Sequence, residues 1–565
     1  MIGTVFYPLS RVITAVVVFF TSIFGGAGMQ AALGQAPPGL DPLPYPAWVH
    51  THWVWEHDGT QQSTIDFVES FKSRDIPVGV VDVEPRWSTA LTTYAPDAAL
   101  FPDMRGMIDH FHAQGTKVLL WTTCMLNEDA ETFAYAKEKG YLVSNGSTVK
   151  WWNGTGAFID YTNPEAVQWW HEQMDIVLDM GVDGWKVDGA EPYIVLQIPS
   201  WGKGGPISWA RYKKLMYDDF YNYTREKTGG KGIAWARPTD DTMGLGLPIT
   251  FMPRDKNFVG WVGDQDNDWG GLRGAMNQMF TSSLFNYVSY GSDIGGFRST
   301  PAKPDPEDVF LRWAQLGAFC PIMENGGGGE HRPWMYDEMR DDGKTYVTDI
   351  YRKFVNLHYD LIPYISSQVA YSYERNQPTM RPTFGLYQYM LGDEIFVAPF
   401  YEEGNERTIV FPGGEWIYLF DQSKIYTSGI QTLNFPLNEF PVFIRKGAII
   451  PTQGIDDEFT TVSIYPKTGT NQFGLYEQDV KGAMLSYTKS ANAMTFACGA
   501  TGRDLLLRIC GEAKPVNVGP KFARAGSLEE LKGMAKGYFY DSAAGELWVL
   551  PGGAAAGGVE VKVEW

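Results

Sequence analysis

Two stretches of this chain place carboxylates where they could do covalent chemistry. The first, Gly181-Val182-Asp183-Gly184-Trp185-Lys186-Val187-Asp188-Gly189-Ala190-Glu191-Pro192, reads as a short apolar strand that delivers an acid at its end, with a lysine two residues earlier. Along a strand, residues 186 and 188 point the same way. A cation aimed into the same space keeps Asp188 ionised, as a carboxylate nucleophile requires at neutral pH; the same two residues would serve equally as a structural ion pair. The second, Trp261-Val262-Gly263-Asp264-Gln265-Asp266-Asn267-Asp268-Trp269, crowds three acids between indoles. Repulsion and apolar neighbours there would raise a carboxyl pKa, so that Asp264 becomes a group able to protonate a departing oxygen. One ionised and one protonated carboxyl, about 5–5.5 Å apart, break a glycosidic bond with retention. Asp264, Asp266 and Asp268 also alternate as in a calcium loop, but no glycine stands at the sixth place and no glutamate at the twelfth. No metal is expected.

Something must hold these acids together, and the chain between Pro46 and about Tyr373 alternates short apolar runs with helix-length amphipathic stretches, the sign of a parallel βα architecture. Eight candidate strands stand out: Ala47–Thr51, Val78–Val83, Lys117–Thr122, Gly184–Val187, Gly232–Ala236, Val259–Val262, Tyr287–Tyr290 and Phe319–Met323. Helices fit at Thr64–Ser73 and Met104–Gln114, and Asn163-Pro164 opens another that runs to about Met180 and stops at Gly181. Eight such units predict a closed (β/α)8 TIM barrel over 46–375, whose active site lies where strands end. The polar residues at those ends are Asp82 and Glu84, Asp188 and Glu191, Arg237, Asp264, Asp293, and Glu324 with Asn325. Taken singly, each reads as a helix cap; together they read as a site. After Asn376 the texture changes to short alternating strands, as in Ile395–Phe400, Thr408–Phe411, Trp416–Phe420 and Val442–Ile444. An antiparallel β-sandwich is predicted over 376–453, a linker at Gly454–Asp457, and a further β domain over 458–565.

Composition excludes other classes. With 46 basic against 66 acidic residues the net charge is -20, which repels nucleic acid, and no nucleic-acid partner is expected. Aromatic residues make up 15% of the chain, with 20 Trp and 30 Tyr, and flat ring faces suit the apolar faces of sugars. Arg11, the apolar run from Val12 to Phe24 and small residues through Ala36 have the layout of a secretory signal peptide over 1–36, which predicts a secreted or periplasmic protein. No membrane partner is expected unless that segment stays as an uncleaved anchor. Cys498 and Cys510 are spaced to pair across a hairpin, and Asn145, Asn153 and Asn222 open Asn-X-Ser/Thr patterns.

With these residues in view, the chain resembles glycoside hydrolase family 31. The resemblance rests on Trp185–Glu191, on Trp-Val-Gly-Asp at 261–264, on Gly-Ser-Asp-Ile-Gly-Gly-Phe at 291–297 and on Arg-Trp-Ala-Gln-Leu-Gly-Ala-Phe at 312–319. Met390–Asp393, Val397–Pro399 and Pro441–Arg445 add to it. It implies Asp188 as nucleophile, Asp264 as acid/base, and Asp82, Lys186, Arg237 and Trp261 as contacts for the sugar in the first subsite. Trp151–Gly154 followed by Phe158–Pro164 looks most like the myogenesis-regulating glycosidase branch, which is similar to α-galactosidases. Trp151, Trp152 and Asn153 follow the third barrel unit and would reach the mouth, so Trp152 would cover the apolar face of a galactose while Asp82 and Lys186 bind its hydroxyls, and Asn153 would bind substrate rather than carry a glycan. The pattern departs in two places. The family usually carries a β-sandwich ahead of the barrel, whereas here the first candidate strand begins at Ala47, and many members place a sugar-binding histidine on the eighth strand, where Asn325 or His331 would stand in. The resulting expectation is hydrolysis of a terminal α-linked hexose in a glycoside or oligosaccharide through a covalent glycosyl-enzyme, without metal or organic cofactor, with α-galactoside preferred, α-glucoside close behind and α-xyloside third. A transglycosylase, or an inactive sugar receptor, is the alternative.

Overall fold

The computed structural model describes residues 45–240, 249–299, 306–340, 342–454, 458–477 and 480–565. The predicted signal segment, residues 1–36, lies outside them. Eight parallel strands form the barrel: β1 (His52–Glu56), β2 (Val80–Val83), β3 (Lys117–Thr122), β4 (Gly184–Val187), β5 (Ile233–Ala236), β6 (Trp261–Val262), β7 (Gly291–Ser292) and β8 (Met323–Gly327). Six of them pair in the order β5-β4-β3-β2-β1-β8. β6 pairs with β7, and single parallel bridges, Ala236 to Gly260 and Ile294 to Asn325, join this pair to β5 and β8, so the barrel closes.

Alternate residues of each strand turn inward, and the inward positions are filled largely by indoles. Trp53 and Trp55 of β1, Trp121 of β3, Trp235 of β5 and Trp261 of β6 are all buried. Trp53 meets Trp235 edge to face at 5.0 Å, and Trp235 lies 4.8 Å from Trp261. Rings this large leave little room low in the barrel and carry the polar floor up towards the mouth. Between strands, helices such as Gln61–Lys72, Met104–Ala113 and Trp209–Lys227 cover the outside with their apolar faces. The helix Pro164–Leu178 starts as predicted, with Asn163 Oδ1 accepting the Glu165 amide at 3.2 Å and proline in the first turn.

Three barrel strands sit later than predicted. Ala47–His50 is a 3-10 turn after Pro46, and the strand is the His-Trp-Val-Trp-Glu that follows. The runs Tyr287–Tyr290 and Phe319–Met323 lead into β7 and β8 rather than forming them, and β8 itself is Met-Glu-Asn-Gly-Gly, a segment with little strand propensity of its own.

Beyond the barrel, a six-stranded sheet runs in the order 380–382, 389–391, 395–397, 442–445, 406–418, 421–434. The two strands expected at Thr408–Phe411 and Trp416–Phe420 are one strand, Glu406–Tyr418, interrupted by an irregularity between Phe411 and Glu415 where Gly414 takes φ 118°. Two more sheets follow. Ile449–Thr452 pairs antiparallel with Thr460–Ile464; of the predicted linker Gly454–Asp457, residues 455–457 lie outside the described residues. Cys498 and Cys510 are free: the strands that carry them, Ala493–Cys498 and Leu505–Cys510, belong to different sheets and form no hairpin with each other.

Candidate active site

At the C-terminal mouth of the barrel one arginine ties the two suspected carboxylates together. Arg237, just past β5, donates from Nε to Asp188 Oδ1 at 3.1 Å and from Nη2 to Asp264 Oδ2 at 2.8 Å, and its Nη1 bonds Asp240. The guanidinium lies over the Trp261 ring, 4.8 Å from its centroid. Asp188, the first residue after β4, also accepts the Gly189 amide at 2.9 Å, and the Trp121 indole stands 3.4 Å from its Oδ2. Burial alone would raise the Asp188 carboxyl; the charges of Arg237 and Lys186 outweigh it and hold its pKa below the ordinary value. The cation that most favours the ionised form is therefore Arg237 rather than the expected Lys186.

Lys186 acts one layer deeper. Its Nζ bonds Glu84, lies 3.8 Å from Asp82 Oδ2, and sits 3.8 Å above the Trp55 ring. Burial disfavours its charge, but Glu84, Asp82 and Asp293 more than compensate, and its pKa is raised. Asp82 is buried with neither carboxyl oxygen hydrogen-bonded, and burial lifts its pKa well above the usual range.

Asp264 takes φ 66°, a left-handed conformation that aspartate tolerates. Its amide donates to Asp293 Oδ2 at 2.9 Å, which pins the strained turn from below. Gly263 must be glycine, since a Cβ there would stand 2.5 Å from Trp261 Nε1 and 2.6 Å from Asp293 Oδ2. The expected crowding of three acids does not occur. Asp266 is exposed, and Asp268 caps the helix Trp269–Leu284 by accepting the Gly271 amide at 2.9 Å. Asp264 is instead paired with Arg237.

The carboxyl pushed upward is Asp293, to about 7, by burial and by the charge of Asp264, against Lys186 and Arg237. Glu324 of β8 faces it. One Glu324 oxygen accepts the Trp55 indole N–H at 3.1 Å, and burial and Asp293 lift its pKa well above the carboxylate range. Asp82, Asp293 and Glu324 thus leave four buried oxygens without a hydrogen bond around the floor, acceptors for hydroxyl groups arriving from outside.

Of the predicted site residues, Asp82, Lys186, Asp188, Arg237, Trp261 and Asp264 converge here. Three do not. Trp152 is 54% exposed on the rim, its ring edge-to-face with Trp121 at 6.0 Å. Asn153, the next residue of that turn, lines a separate hollow beside Leu91 and Glu128. Asn325 is turned out of the barrel, because its neighbour Glu324 points in: its amide donates to the His331 carbonyl at 2.9 Å, and its Oδ1 lies 3.1 Å from His331 Nδ1. His331, with Nδ1 also 2.9 Å from the Ile294 carbonyl, is buried beside the end of β8. Trp55 and Trp121, which the sequence reading did not single out, also face inward: strand register sets Trp55 beside Asp82 and Trp121 beside Lys186. Among the described residues no cluster of His, Cys, Asp and Glu could hold a metal ion, and no helix is long and apolar enough to cross a membrane.

Comparison with known proteins bears on the fold that carries this site. The family model described as the glycosyl hydrolases family 31 TIM-barrel domain matches residues 42–368, and that of the family 31 C-terminal domain matches 367–450. An alpha-xylosidase of Emericella nidulans is 26% identical over 73% of this chain and 54% of its own length. An isomaltosyltransferase of Sporosarcina globispora is 24% identical over 91% of this chain and 52% of its own. The chain spans about half the length of these curated relatives. Among solved structures, a dextranase of that family from Flavobacterium johnsoniae superposes with a TM-score of 0.82 at 20% identity, covering 94% of this chain and 72% of the dextranase.

Proposed function

The chain belongs to glycoside hydrolase family 31, and on that footing we propose that it is a retaining exo-acting α-glycosidase that releases a terminal α-linked hexose. The observation that carries the reading is the single guanidinium that holds Asp188 and Asp264 side by side at the barrel mouth. Two carboxylates on one guanidinium suit the about 5–5.5 Å separation of a retaining pair better than the about 6.5–9.5 Å of an inverting one. Asp188, held ionised, attacks the anomeric carbon while Asp264 passes a proton to the leaving glycosidic oxygen. Asp264, now a carboxylate, then takes a proton from water, whose oxygen displaces Asp188 from the sugar. Arg237 steadies the attacking carboxylate, and the free oxygens of Asp82 accept hydroxyls of the glycone.

The glycone we propose is glucose. The galactose expectation needed Trp152 over the apolar face of the sugar, and Trp152 is 54% exposed, edge-on to Trp121. Xylose and glucose, the sugars in the names of the relatives above or in their isomaltosyl group, share an equatorial 4-hydroxyl. Transfer to a sugar hydroxyl in place of water is the second reading, favoured by the likeness to an isomaltosyltransferase over 91% of the chain. A panel of 4-nitrophenyl α-glucoside, α-galactoside and α-xyloside, followed by NMR of the first-formed product, tests all of this. Faster release from the glucoside with the α-anomer formed first is expected. A β-anomer would overturn retention, a faster galactoside would overturn the glycone, and oligosaccharide products in place of free sugar would establish transfer.

A further inference from the structure

Two of the buried oxygens without a hydrogen bond, Oδ1 of Asp293 and Oε1 of Glu324, belong to neighbouring carboxyls beneath the turn that carries Asp264. The strands set them side by side. Ile294 bridges Asn325 in parallel and its amide donates to the Glu324 carbonyl at 3.2 Å, so Asp293 and Glu324 are register neighbours directed to the same face. Each carboxyl uses one oxygen on a fixed donor: Asp293 Oδ2 accepts the Asp264 amide at 2.9 Å, and Glu324 Oε2 accepts the Trp55 indole N–H at 3.1 Å. The other oxygen of each is left over. We propose that Asp293 and Glu324 hold one proton between these two oxygens, and that through it Glu324 is a positioning residue for Asp264. The positioning role rests on the glycosidase reading; the shared proton does not.

No cation is at hand to neutralise both carboxyls. The two residues are 1% and 0% exposed, and adjacent carboxylates out of water do not both ionise. Lys186 on β4 is bonded to Glu84 and lies 3.8 Å from Asp82. Arg237, past β5, gives Nε, Nη1 and Nη2 to Asp188, Asp240 and Asp264. The other titratable neighbours, Asp264 after β6 and Cys320 ahead of β8, bring no positive charge. Burial lifts the pKa of both carboxyls, and Asp293 lifts Glu324 further by its charge and by offering an acceptor to the protonated form. A single proton satisfies both left-over oxygens at once and leaves the pair with one negative charge, towards Lys186. It also keeps Asp293 Oδ2 an acceptor. The effect reaches the chemistry through the backbone, since the Asp264 amide, in a residue at φ 66°, is tied to that oxygen. An Asp293 displaced by a second negative charge would release the turn, and with it the aim of the acid.

Infrared difference spectra of the unsubstituted enzyme against Glu324→Gln at neutral pH read the proton directly: the carbonyl stretch of a buried protonated carboxyl is expected to be lost in the variant. Rates on a disaccharide and on the 4-nitrophenyl glycoside of the same glycone read the positioning. Glu324→Ala leaves Asp293 ionised and unpaired, and is expected to slow the disaccharide about ten- to a hundred-fold more than the nitrophenyl glycoside, whose leaving group needs no proton. In Glu324→Gln the amide donates to Asp293 Oδ1 in place of the shared proton, and the ratio of the two rates is expected to return to that of the unsubstituted enzyme. A band that survives in Glu324→Gln would overturn the shared proton. An unchanged ratio in Glu324→Ala, or a ratio as low in Glu324→Gln as in the alanine variant, would overturn the positioning role. The infrared comparison decides even where the alanine variant does not fold. Failure of the glycosidase reading shows separately, as absence of turnover of any α-glycoside by the unsubstituted enzyme.

Discussion

The two ends of the barrel both bury ionisable groups, but they treat them in opposite ways. At the N-terminal end three histidines are buried and neutral. His50 Nδ1 donates to the Pro321 carbonyl and His52 Nδ1 to the Pro77 carbonyl, both at 2.8 Å, and His358 Nδ1 to the Ala318 carbonyl at 3.1 Å. Burial drives their pKa values down to about 4, 3 and 4. They sew strand starts and a helix together and leave no net charge. At the C-terminal end Asp82, Glu84, Asp188, Asp240, Asp264, Asp293 and Glu324 crowd around only Lys186 and Arg237, and several carboxyl oxygens have no partner at all. The N-terminal end keeps its buried groups neutral, even where His50 Nε2 and His358 Nε2 have no hydrogen bond, whereas the C-terminal end holds carboxylates and cations crowded together in its interior.

The largest effect expected from breaking this contrast is at the nucleophile. Asp188→Asn should lower kcat on the order of 10³-fold or more, because the amide occupies the same space but cannot attack. The melting temperature should hardly move, and near wild-type turnover of an activated aryl α-glycoside would refute the assignment. Next comes Asp264→Ala, expected to slow natural glycosides about 10²–10⁴-fold while sparing 4-nitrophenyl glycosides, whose leaving group needs no proton. Equal losses on both substrates would remove Asp264 from the acid role.

Smaller effects separate the two ends by pH. Glu191, buried just beyond the nucleophile with neither oxygen bonded, is pushed by burial from 4.5 up to about 8. A raised carboxyl pKa means that its contribution to stability is complete below about 4.5 and lost as pH rises through 8. Glu191→Gln should therefore flatten the fall of melting temperature between about pH 4.5 and 8, and an unchanged slope would mean that the mouth is not its source. The histidines have the opposite sign. With pKa values depressed from 6.5, they stabilise fully above that pH, and the contribution is lost as pH falls through about 4. His358→Gln keeps a donor for the Ala318 carbonyl without the titration, so it should make the acid limb shallower and leave kcat alone; a steeper limb would show that the imidazole contributes something else.

Much of this was legible before any coordinates. The strands Lys117–Thr122 and Gly184–Val187 fall where predicted, because apolar runs between helix-capping signals are local facts. The last two barrel strands were misplaced by a few residues, because Gly291–Ser292 and Met323–Gly327 become strands through their neighbours on either side and not through their own propensity. That shift had a chemical consequence: with β8 misplaced, Asn325 looked like a site residue, when the inward-facing one is Glu324.

The sequence by itself determined the family and the barrel, since each is written in short contiguous motifs whose residue types suffice. Which cation holds Asp188 ionised, that Asp82, Asp293 and Glu324 are carboxyls lifted by burial, and that Trp152 stands exposed against Trp121 were decided only by the tertiary structure. Arg237, Asp188 and Asp264 come from different strands, and a pKa or a contact depends on distances across the barrel, which strand pairing and closure set and no local motif encodes.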